Sequence, residues 1–296
     1  MENDRLDSDR ITREYYDSLL IAMRHIDSVI PDTGVKLFGK RFSMPICTAA
    51  LSHLNNTCED GMAKMAEGAF MADALCFSGM GEADELKRMC ETDASVIKIV
   101  KPHEKNEKVF AKILEAEEAG CFGVGMDIDH AFSADGNYDN VCGLPMRPKS
   151  LRELISFVES THLPFVIKGV LSVQDAKKCL EAGAKGIVVS HHHGIMRSAV
   201  PPLMVLPEIK KAVGSRMTIF VDCDIESGMD AYKALALGAD AVCVGRAIMG
   251  PLKDNGAAGV RDKLNEMKAE LTAVMERTAC DRLNKIDDSV IYHRNF

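Results

Sequence analysis

The sequence predicts a (β/α)8 TIM barrel, an α/β fold, preceded by a short N-terminal helical segment. Eight short apolar runs of the kind that form strands recur along the chain, separated by amphipathic stretches of helical period. Their spacing is close to the roughly 30 residues of a βαβ unit. Strands that are apolar throughout are buried on both faces, as in parallel sheets covered by helices. Eight such units favour a closed barrel; a doubly wound open sheet is the alternative, disfavoured because no Gly-x-Gly-x-x-Gly follows the first strand.

The elements follow one another regularly along the chain. Apolar residues at helical spacing predict a helix within residues 1–30, and the turn chemistry of Pro31 to Gly34 ends it. The eight predicted strands are residues 45–51, 74–78, 96–100, 123–129, 164–169, 186–191, 218–223 and 241–246. The predicted helices between and after them are residues 59–71, 83–91, 105–119, 150–159, 172–182, 203–212, 227–237 and 257–276.

These elements define the domain organisation. We expect an N-terminal helical segment over residues 1–35, one barrel domain over 36–280 and a C-terminal tail over 281–296. Ser150 and Ser172 are N-cap residues for the helices that follow them. The polar segment 134–140 is expected to form a surface loop over the catalytic face of the barrel.

Composition narrows the class of protein. The 296 residues are 47% apolar and carry a net charge of −8, which suits a folded core and argues against nucleic acid or an anionic membrane surface as a partner. The ten cysteines include no Cys-x-x-Cys pair and mostly lie in apolar runs, so we expect them to be reduced and buried. No signal peptide or membrane-length apolar run is visible, and the expected location is cytoplasmic.

Active sites of barrels lie at the C-terminal ends of the strands. Polar residues concentrate at these predicted ends, and they combine cations, carboxylates and imidazoles. They are Ser78, Lys98, Asp127, Asp129, Lys168, Ser190, His191, His192, His193, Asp222, Asp224 and Arg246. We therefore expect the functional site on this face.

Each candidate has a functional and a structural interpretation. Lys168 lies at the end of an apolar strand, and three interpretations are open: a fixed cation that faces a ligand, a lysine that forms a Schiff base, or a lysine that only extends to solvent. Adjacent histidines on a strand point to opposite faces, so the run 191–193 disfavours a metal site and favours one imidazole as a general base. Asp127 and Asp129 share one side of their strand. Either carboxylate could orient that imidazole or simply be solvated.

The ends of the last two strands form a candidate phosphate site. Gly245 permits close backbone approach, Arg246 offers a bidentate fork, and a helix N-terminus follows residues 222–228. The alternative role for Arg246 is that of a structural ion-pair partner.

Four motifs of the second half carry a resemblance. They are Pro-Phe-Val-Ile-Lys-Gly-Val-Leu-Ser from Pro164, Gly-Ile-Val-Val-Ser-His-His-His-Gly from Gly186, Leu-Pro-Glu-Ile from Leu206, and Lys-Ala-Leu-Ala-Leu-Gly-Ala-Asp-Ala-Val-Cys-Val-Gly-Arg from Lys233. A fainter match covers residues 37–46. With these motifs the chain resembles the FMN-dependent α-hydroxy acid oxidase/dehydrogenase family, which includes glycolate oxidase, lactate oxidase and mandelate dehydrogenase. That family is a (β/α)8 barrel, and its members tend to form tetramers.

The resemblance implies FMN as cofactor and assigns roles to individual residues. His192 matches the histidine that acts as general base, Asp129 the carboxylate that supports it, and Lys168 the cation that stabilises the reduced flavin. Further positions match flavin-contacting segments of the family: Ala50, Leu51, Ser52, Ser78, Lys98, Asp127, Ser190, Asp222, Cys223, Asp224, Glu226, Gly245 and Arg246. Within this set, Lys98 and Asp127 stand where the family has a Gln and a Thr.

The chain departs from the family pattern around the substrate. Ile195 stands where the family has a carboxylate-binding arginine, and Arg197 is the candidate replacement. No arginine occurs between residues 130 and 135, where the second one lies, and Val100 replaces a substrate-binding tyrosine. Glu226 replaces a phosphate-binding arginine. A short 2-hydroxy acid such as lactate or glycolate is therefore not the expected substrate.

Three hypotheses about function follow. The leading one is an FMN-dependent oxidoreductase that acts on a CH–OH group, with His192 as base and a small-molecule substrate. The second is a non-redox isomerase or lyase on a flavin- or phosphate-binding barrel, with His192 and Lys168 as acid and base. The third is a catalytically degenerate FMN-binding subunit, suggested by the missing arginines and by Glu226.

Overall fold

The computed structural model describes residues 6–133 and 135–294. Parts of the predicted N-terminal segment, surface loop and C-terminal tail, namely residues 1–5, 134 and 295–296, lie outside the described residues. The strands are β1 Leu19–Ile21, β2 Val35–Leu37, β3 Lys40–Phe42, β4 Ile46–Leu51, β5 Cys76–Ser78, β6 Val96–Val100, β7 Gly123–Asp127, β8 Asn140–Val141, β9 Leu144–Pro145, β10 Phe165–Val170, β11 Gly186–Val189, β12 Thr218–Val221, β13 Ala241–Val244 and β14 Ile291–His293.

The predicted barrel is confirmed. Eight strands pair in parallel and close in the order β4-β5-β6-β7-β10-β11-β12-β13, with β13 returning to β4. Each of the eight predicted strands coincides with one barrel strand to within a few residues. The alternative of an open, doubly wound sheet is therefore excluded.

The helices lie outside the barrel. They are α1 Ser8–Ser18, α2 Gly61–Met71, α3 Ala83–Cys90, α4 Asn106–Glu118, α5 Leu151–Glu159, α6 Val173–Glu181, α7 Pro202–Val213, α8 Gly228–Ala236 and α9 Arg246–Glu276. The seven from α2 to α8 connect the barrel strands. Helix α9 is interrupted at Gly256, whose φ of 57° and ψ of −136° are not helical. Ser150 and Ser172 accept backbone N–H bonds at the starts of α5 and α6, which confirms them as N-caps.

Strand alternation divides the core into two layers. Val166, Val188 and Phe220 belong to a cluster that fills the barrel interior. Their strand neighbours, such as Ile167 and Val189, pack outward against the helices. Because successive side chains on a strand point to opposite faces, this parity shows which polar residues at the strand ends face the barrel axis.

The two ends of the chain differ from expectation. Within the described residues 6–35 the helix covers only Ser8–Ser18, and residues 19–21 form a strand instead. That strand, β1, pairs in antiparallel fashion with β14 near the other end of the chain. The short pairing is a tertiary contact between distant residues, so neither local periodicity nor propensity could indicate it. The described part of the C-terminal segment, residues 281–294, thus contacts the rest of the molecule through β14.

The loop between β7 and α5 contains a small hairpin, β8–β9, that the sequence did not predict. In this same loop Asp139 bonds His130 at the end of β7, so the loop does lie over the C-terminal end of the barrel. All ten cysteines are free thiols; seven are buried, and Cys142 in this hairpin is exposed. Among the described helices, none has the length and apolar character needed to cross a bilayer.

Candidate functional site

Four polar side chains form a layer above the apolar interior of the barrel. Lys168, Ser190 and Asp222 have the same strand parity as Val166, Val188 and Phe220, so they face the barrel axis. Asp127 ends β7 on its inward side, since Met126 packs outward. All four are buried. The sequence predicted each of them as a site residue, and the closed barrel brings them together.

Lys168 is the buried cation of this layer. Its Nζ lies 3.3 Å from Oδ2 of Asp222 and donates a hydrogen bond of 3.1 Å to Oγ of Ser190. Burial acts to lower the pKa of Lys168, but the carboxylates of Asp222 and Asp127 outweigh it and raise the pKa. Lys168 therefore stays protonated. It is a fixed positive charge and not a Schiff-base nucleophile, which would need a neutral amine.

His192 lies directly above this layer. Its Nδ1 is 2.9 Å from Oδ1 of Asp129, 3.3 Å from Oδ1 of Asp127 and 3.4 Å from Nζ of Lys168. Burial and Lys168 act to lower the pKa of His192, while the two carboxylates prevail and raise it to about 9. The resting imidazole is therefore protonated at neutral pH, and it must lose that proton before it can act as a base.

The two carboxylates beside His192 have unequal proton affinity. Burial raises the pKa of Asp129 to about 6, and the neighbouring charge of Asp127 adds to this. Burial opposes ionisation of Asp127 as well, but Lys168 and His192 hold its pKa well below the ordinary value. One oxygen of each carboxylate, Oδ1 of Asp127 and Oδ2 of Asp129, is buried without a hydrogen bond among the described residues. Such groups are suited to a further polar partner.

The sequence did not single out His130 and Asp139 as functional. Nε2 of His130 lies 3.2 Å from Nε2 of His192, and Nδ1 of His130 lies 2.9 Å from Oδ2 of Asp139. Burial, with the charge of Lys101, lowers the pKa of His130, so this imidazole is neutral. A neutral His130 that donates Nδ1–H to Asp139 presents the lone pair of Nε2 to His192.

Lys101 is a second site residue that the sequence did not reveal as such. Its Nζ bonds Oδ2 of Asp127 at 2.6 Å. Ile97 and Ile99 face the barrel interior, so alternation past the end of β6 carries Lys101 to the same side. Val100, which was aligned with the family's substrate-binding tyrosine, packs outward instead. Extending the alternation one residue beyond the end of β6 would have identified Lys101.

Gly169 makes room for Asp129. A Cβ on Gly169 would lie 2.5 Å from Cγ of Asp129, and the φ of +90° at this glycine is one that other residues rarely adopt. The absence of a side chain at Gly169 thus leaves space for the carboxylate of Asp129, which follows the neighbouring strand β7. The backbone of His192 is also left-handed, with a φ of 51°, and its N–H donates to Oγ of Ser190. Strained backbone of this kind concentrates at functional sites.

The predicted phosphate site forms a small second centre. Arg246 donates to Oδ2 of Asp9 at 2.9 Å and to Oδ1 of Asp224. The adjoining cavity of about 30 Å³ has a lining that includes Asp222, Cys223, Asp224, Glu226, Gly245 and Arg246. Burial raises the pKa of Asp224 to about 6; Arg246 opposes this shift, while Asp9 and Glu226 add to it. Arg246 is therefore paired with two carboxylates in this structure.

The N-terminus of α8 offers little to an anion. The backbone N–H of Glu226 donates to Oδ2 of Asp230, and that of Gly228 donates to Oε2 of Glu270. Cys223 and Asp224 have φ values of 71° and 55°, in the region that favours glycine. A phosphate at this position would have to displace Asp9 or Asp224 from Arg246.

The remaining predicted residues separate into two groups. Ala50 and Leu51 end β4, and Ser52 follows them. Oγ of Ser52 accepts the backbone N–H of Met80 after β5, so these chain segments adjoin the barrel mouth. The prediction that Lys98 faces the cofactor with Lys168 is wrong. Lys98 lies between Ile97 and Ile99, which face the barrel interior, so its side chain points toward the helices. Ser78 shares this outward side, because Phe77 faces the interior. An error of one residue in strand parity reverses the side that a residue faces.

Arg197 does not enter the central cluster. It is exposed and lines a cavity of about 750 Å³ that extends from Asp129, Gly169 and Ser190 to the loop after β11. Much of its lining is apolar: Phe132, Leu171, Ile195, Met196 and Ala199. This cavity is the largest open space adjoining the histidine–carboxylate cluster among those found in the described residues.

Two kinds of cofactor can be weighed against these groups. Lys168 is a fixed cation beside the hydroxyl of Ser190 and a histidine, and this combination suits the polar edge of a flavin ring. The guanidinium of Arg246, next to Gly245, is the type of donor that binds a flavin phosphate. Separately, Asp127, Asp129, His130 and His192 offer ligand atoms within 4.8 Å of one another, a composition that metals bind. Lys101 and Lys168 already supply positive charge to those carboxylates.

Comparisons with known proteins agree with this geometry. A family model described as FMN-dependent dehydrogenase matches residues 3–158 and 148–293. Among curated proteins, the chain is 37% identical to mouse 2-hydroxyacid oxidase 1 over 171 residues, which is 55% of this chain and 46% of that protein. It is 34% identical to an L-lactate oxidase of Nostoc over 209 residues, covering 70% of this chain and 57% of the relative. These matches thus span only about half the length of the relatives.

Solved structures extend the likeness over nearly the whole chain. The crystal structure of mandelate oxidase superimposes with a TM-score of 0.89 at 25% identity, covering 98% of this chain and 91% of that chain. A mandelate oxidase variant with an FMN adduct gives a TM-score of 0.88 at 26% identity, covering 98% of this chain and 92% of the other.

Proposed function

The chain belongs to the FMN-dependent dehydrogenase family, and on this premise we propose that it is an FMN-dependent oxidoreductase that oxidises a CH–OH group with His192 as general base. The single observation that supports this best is the contact of His192 with Asp129 above the buried cation Lys168. It joins a base, the carboxylate that orients it and a fixed positive charge at one barrel face.

The residues divide the work of binding and proton transfer. Lys168 and Ser190 would hold the polar edge of the flavin ring, Asp222 would keep Lys168 in place, and Arg246 would meet the phosphate. When bound, FMN supplies the acceptor for the two electrons that leave the substrate carbon. The cationic Lys168 favours negative charge next to it, as an electron-rich ring requires.

Proton transfer is assigned to His192. Resting His192 carries a proton on each ring nitrogen and must first lose the one on Nε2. With Nδ1–H directed at Asp129, the lone pair then lies on Nε2, and this atom takes the substrate proton. Nε2 of His130 then faces the new N–H across 3.2 Å and accepts it as a hydrogen bond. Asp139 fixes the tautomer of His130 from the other side. The captured proton is thereby held between two imidazoles.

The substrate is proposed to be larger than lactate or glycolate. The cavity that adjoins Asp129 has a volume of about 750 Å³ and an apolar lining that includes Phe132 and Met196. Arg197 lies on its wall, where it would meet a polar group of a bound molecule. A hydroxylated compound with an apolar body fits these features better than a three-carbon acid.

Anaerobic bleaching of the flavin absorbance tests this function. The FMN-loaded protein is mixed without oxygen with lactate, glycolate, mandelate and larger hydroxylated acids. We expect bleaching by a bulky member of the panel and a loss of about 100-fold or more in its rate in His192→Ala. His162→Ala, at an exposed histidine, is the matched control and keeps the rate. Turnover without bleaching would favour an isomerase, and bleaching that is unaffected in His192→Ala would refute His192 as the base.

A further inference from the structure

A cavity of about 310 Å³ lies outside the barrel wall, between the loop after β5, the end of β6 and helix α4. Most of its charged lining is basic. The charged and histidine residues that line it are Lys98, Lys101, His103, Lys108, Lys112, Glu82 and Glu115. It is separate from the cavity that adjoins Asp129, and none of the proposed catalytic groups lines it.

Lys98 is the buried cation of this cavity. Only 4% of the residue is exposed, and its Nζ donates to the backbone carbonyl of Gly79. A Cβ built on Gly81, itself part of the cavity wall, would lie 3.8 Å from Nζ, so the ammonium group is at the wall. No carboxylate of the described residues lies within 4 Å of it; Glu85 on α3 acts on it only from farther away. A buried cation without a close counter-ion is costly unless a ligand supplies one.

The other lysines differ in how far their charge is balanced. Lys101 is paired with Asp127, and Lys112 is paired with Glu115 at 2.7 Å. Lys108 is half-buried and has no ion pair within the described part of the chain. Glu82 is the remaining acidic group of the lining. The cavity therefore has an excess of positive charge in a protein whose net charge is −8.

His103 gives independent evidence of a missing partner. It is 5% exposed, and its Nδ1 is buried without a hydrogen bond among the described residues. Burial, followed by the charges of Lys108 and Lys112, lowers the pKa of His103 to about 4, so the ring is neutral and can carry a proton on Nδ1. A buried N–H with nothing to donate to is expected to meet a ligand.

We infer that this cavity binds the oxyanion of a small molecule, a carboxylate or a phosphate, between Lys98 and Lys108, with a hydrogen bond from His103. Two cations and one neutral donor suit a group with several acceptor oxygens. Lys101 lines the cavity and also bonds Asp127, which contacts His192. The anion could therefore be a distal group of the substrate or a separate molecule that acts on the site through Lys101.

Titration with inorganic phosphate tests the site directly. Isothermal titration calorimetry on the FMN-loaded protein needs no turnover, so its result is independent of the proposed function. We expect binding that weakens at least fivefold in Lys108→Met and in Lys98→Met, and that tightens in Glu115→Gln because Lys112 is released. Lys105→Met, at an exposed lysine that does not line the cavity, should leave the affinity within twofold.

Because Lys98 is buried, Lys98→Met can prevent folding. In that case Lys108→Met, at a half-buried position, still tests the site. Phosphate affinity that is unchanged in Lys108→Met, or absent in the parent protein, would overturn the inference. The two sources are separated by kinetics with the substrate found by bleaching. Phosphate that competes with the substrate identifies the anion as a distal group of the substrate. Phosphate that changes kcat without competition identifies a separate molecule.

Discussion

Nε2 of His130 lies 3.2 Å from Nε2 of His192, and the two rings are nearly perpendicular, at 87°. Two imidazole lone pairs at this distance would repel each other, so one proton must lie between them. Because the pKa of His192 is raised and that of His130 is lowered, the proton belongs to His192. The pair couples the proposed base to the loop that carries Asp139.

Replacing His130 by leucine should lower the pKa of His192. The neutral ring of His130 accepts a hydrogen bond only from the protonated form of His192, so its loss destabilises that form by about 1–2 kcal/mol, or about one pKa unit. Titration of the His192 ring by NMR measures the shift. His130→Gln, which keeps an acceptor, should shift the pKa less, and His162→Leu should not shift it. An unchanged midpoint in His130→Leu would show that the two rings do not share a proton.

Activity should rise with pH and level off above about 9. His192 is the base, and below its pKa of about 9 the active, unprotonated form falls tenfold for each pH unit. Asp129→Asn removes a carboxylate that raises this pKa, so the plateau should begin at lower pH while its height falls about 10-fold or more through lost orientation. The pH profile of kcat/KM gives both values. Asp135→Asn, at an exposed loop position, should reproduce the parent profile, and a profile of Asp129→Asn that matches the parent would contradict the role of Asp129.

Gly169→Ala should be more destabilising than Gly120→Ala. Both glycines have positive φ, so each alanine adds backbone strain of about 1 kcal/mol. A Cβ at Gly120 meets nothing within 4 Å, whereas one at Gly169 collides with Asp129, which adds about 1–3 kcal/mol of overpacking. Urea unfolding measures the difference. Equal losses of stability in the two variants would mean that Asp129 moves aside at no cost, which would contradict the close packing of Gly169 against this carboxylate.

Affinity for FMN should increase when Asp224 loses its charge. Asp224 and Asp9 occupy Arg246, and a phosphate must compete with them. The pKa of Asp224 is about 6, so FMN should bind more tightly as pH falls through 6, and Asp224→Asn should show tighter binding, by about 3–10-fold, at pH 7.5. Quenching of flavin fluorescence measures the affinity, with riboflavin as the phosphate-free control. Asparagine tolerates the left-handed backbone at this position.

A matched variant keeps this last experiment interpretable. Asp254→Asn changes the net charge equally at an exposed position of α9, so it should leave FMN affinity unchanged. If riboflavin gains as much affinity as FMN in Asp224→Asn, the effect does not concern the phosphate, and the proposed role of Arg246 is wrong.

Local patterns in the sequence were sufficient to predict the barrel architecture and the residues at the centre of the site. Strand and helix periodicity is a property of neighbouring residues, so eight βα units could be counted, and closure placed their polar ends together. The inward group of Lys168, Ser190 and Asp222 follows from the same alternation. The motifs around Lys168 and His192 indicated the family that the comparisons then showed.

Only the tertiary structure revealed the contacts between residues that are far apart in the chain. The approach of His130 to His192, the capture of Arg246 by Asp9, and the pairing of β1 with β14 join segments separated by 62 to more than 230 residues. No local pattern encodes such contacts, because they depend on how the closed barrel orients its loops. The side that Lys98 faces also depended on the exact strand register, since a shift of one residue turns a side chain from the barrel axis to the helices.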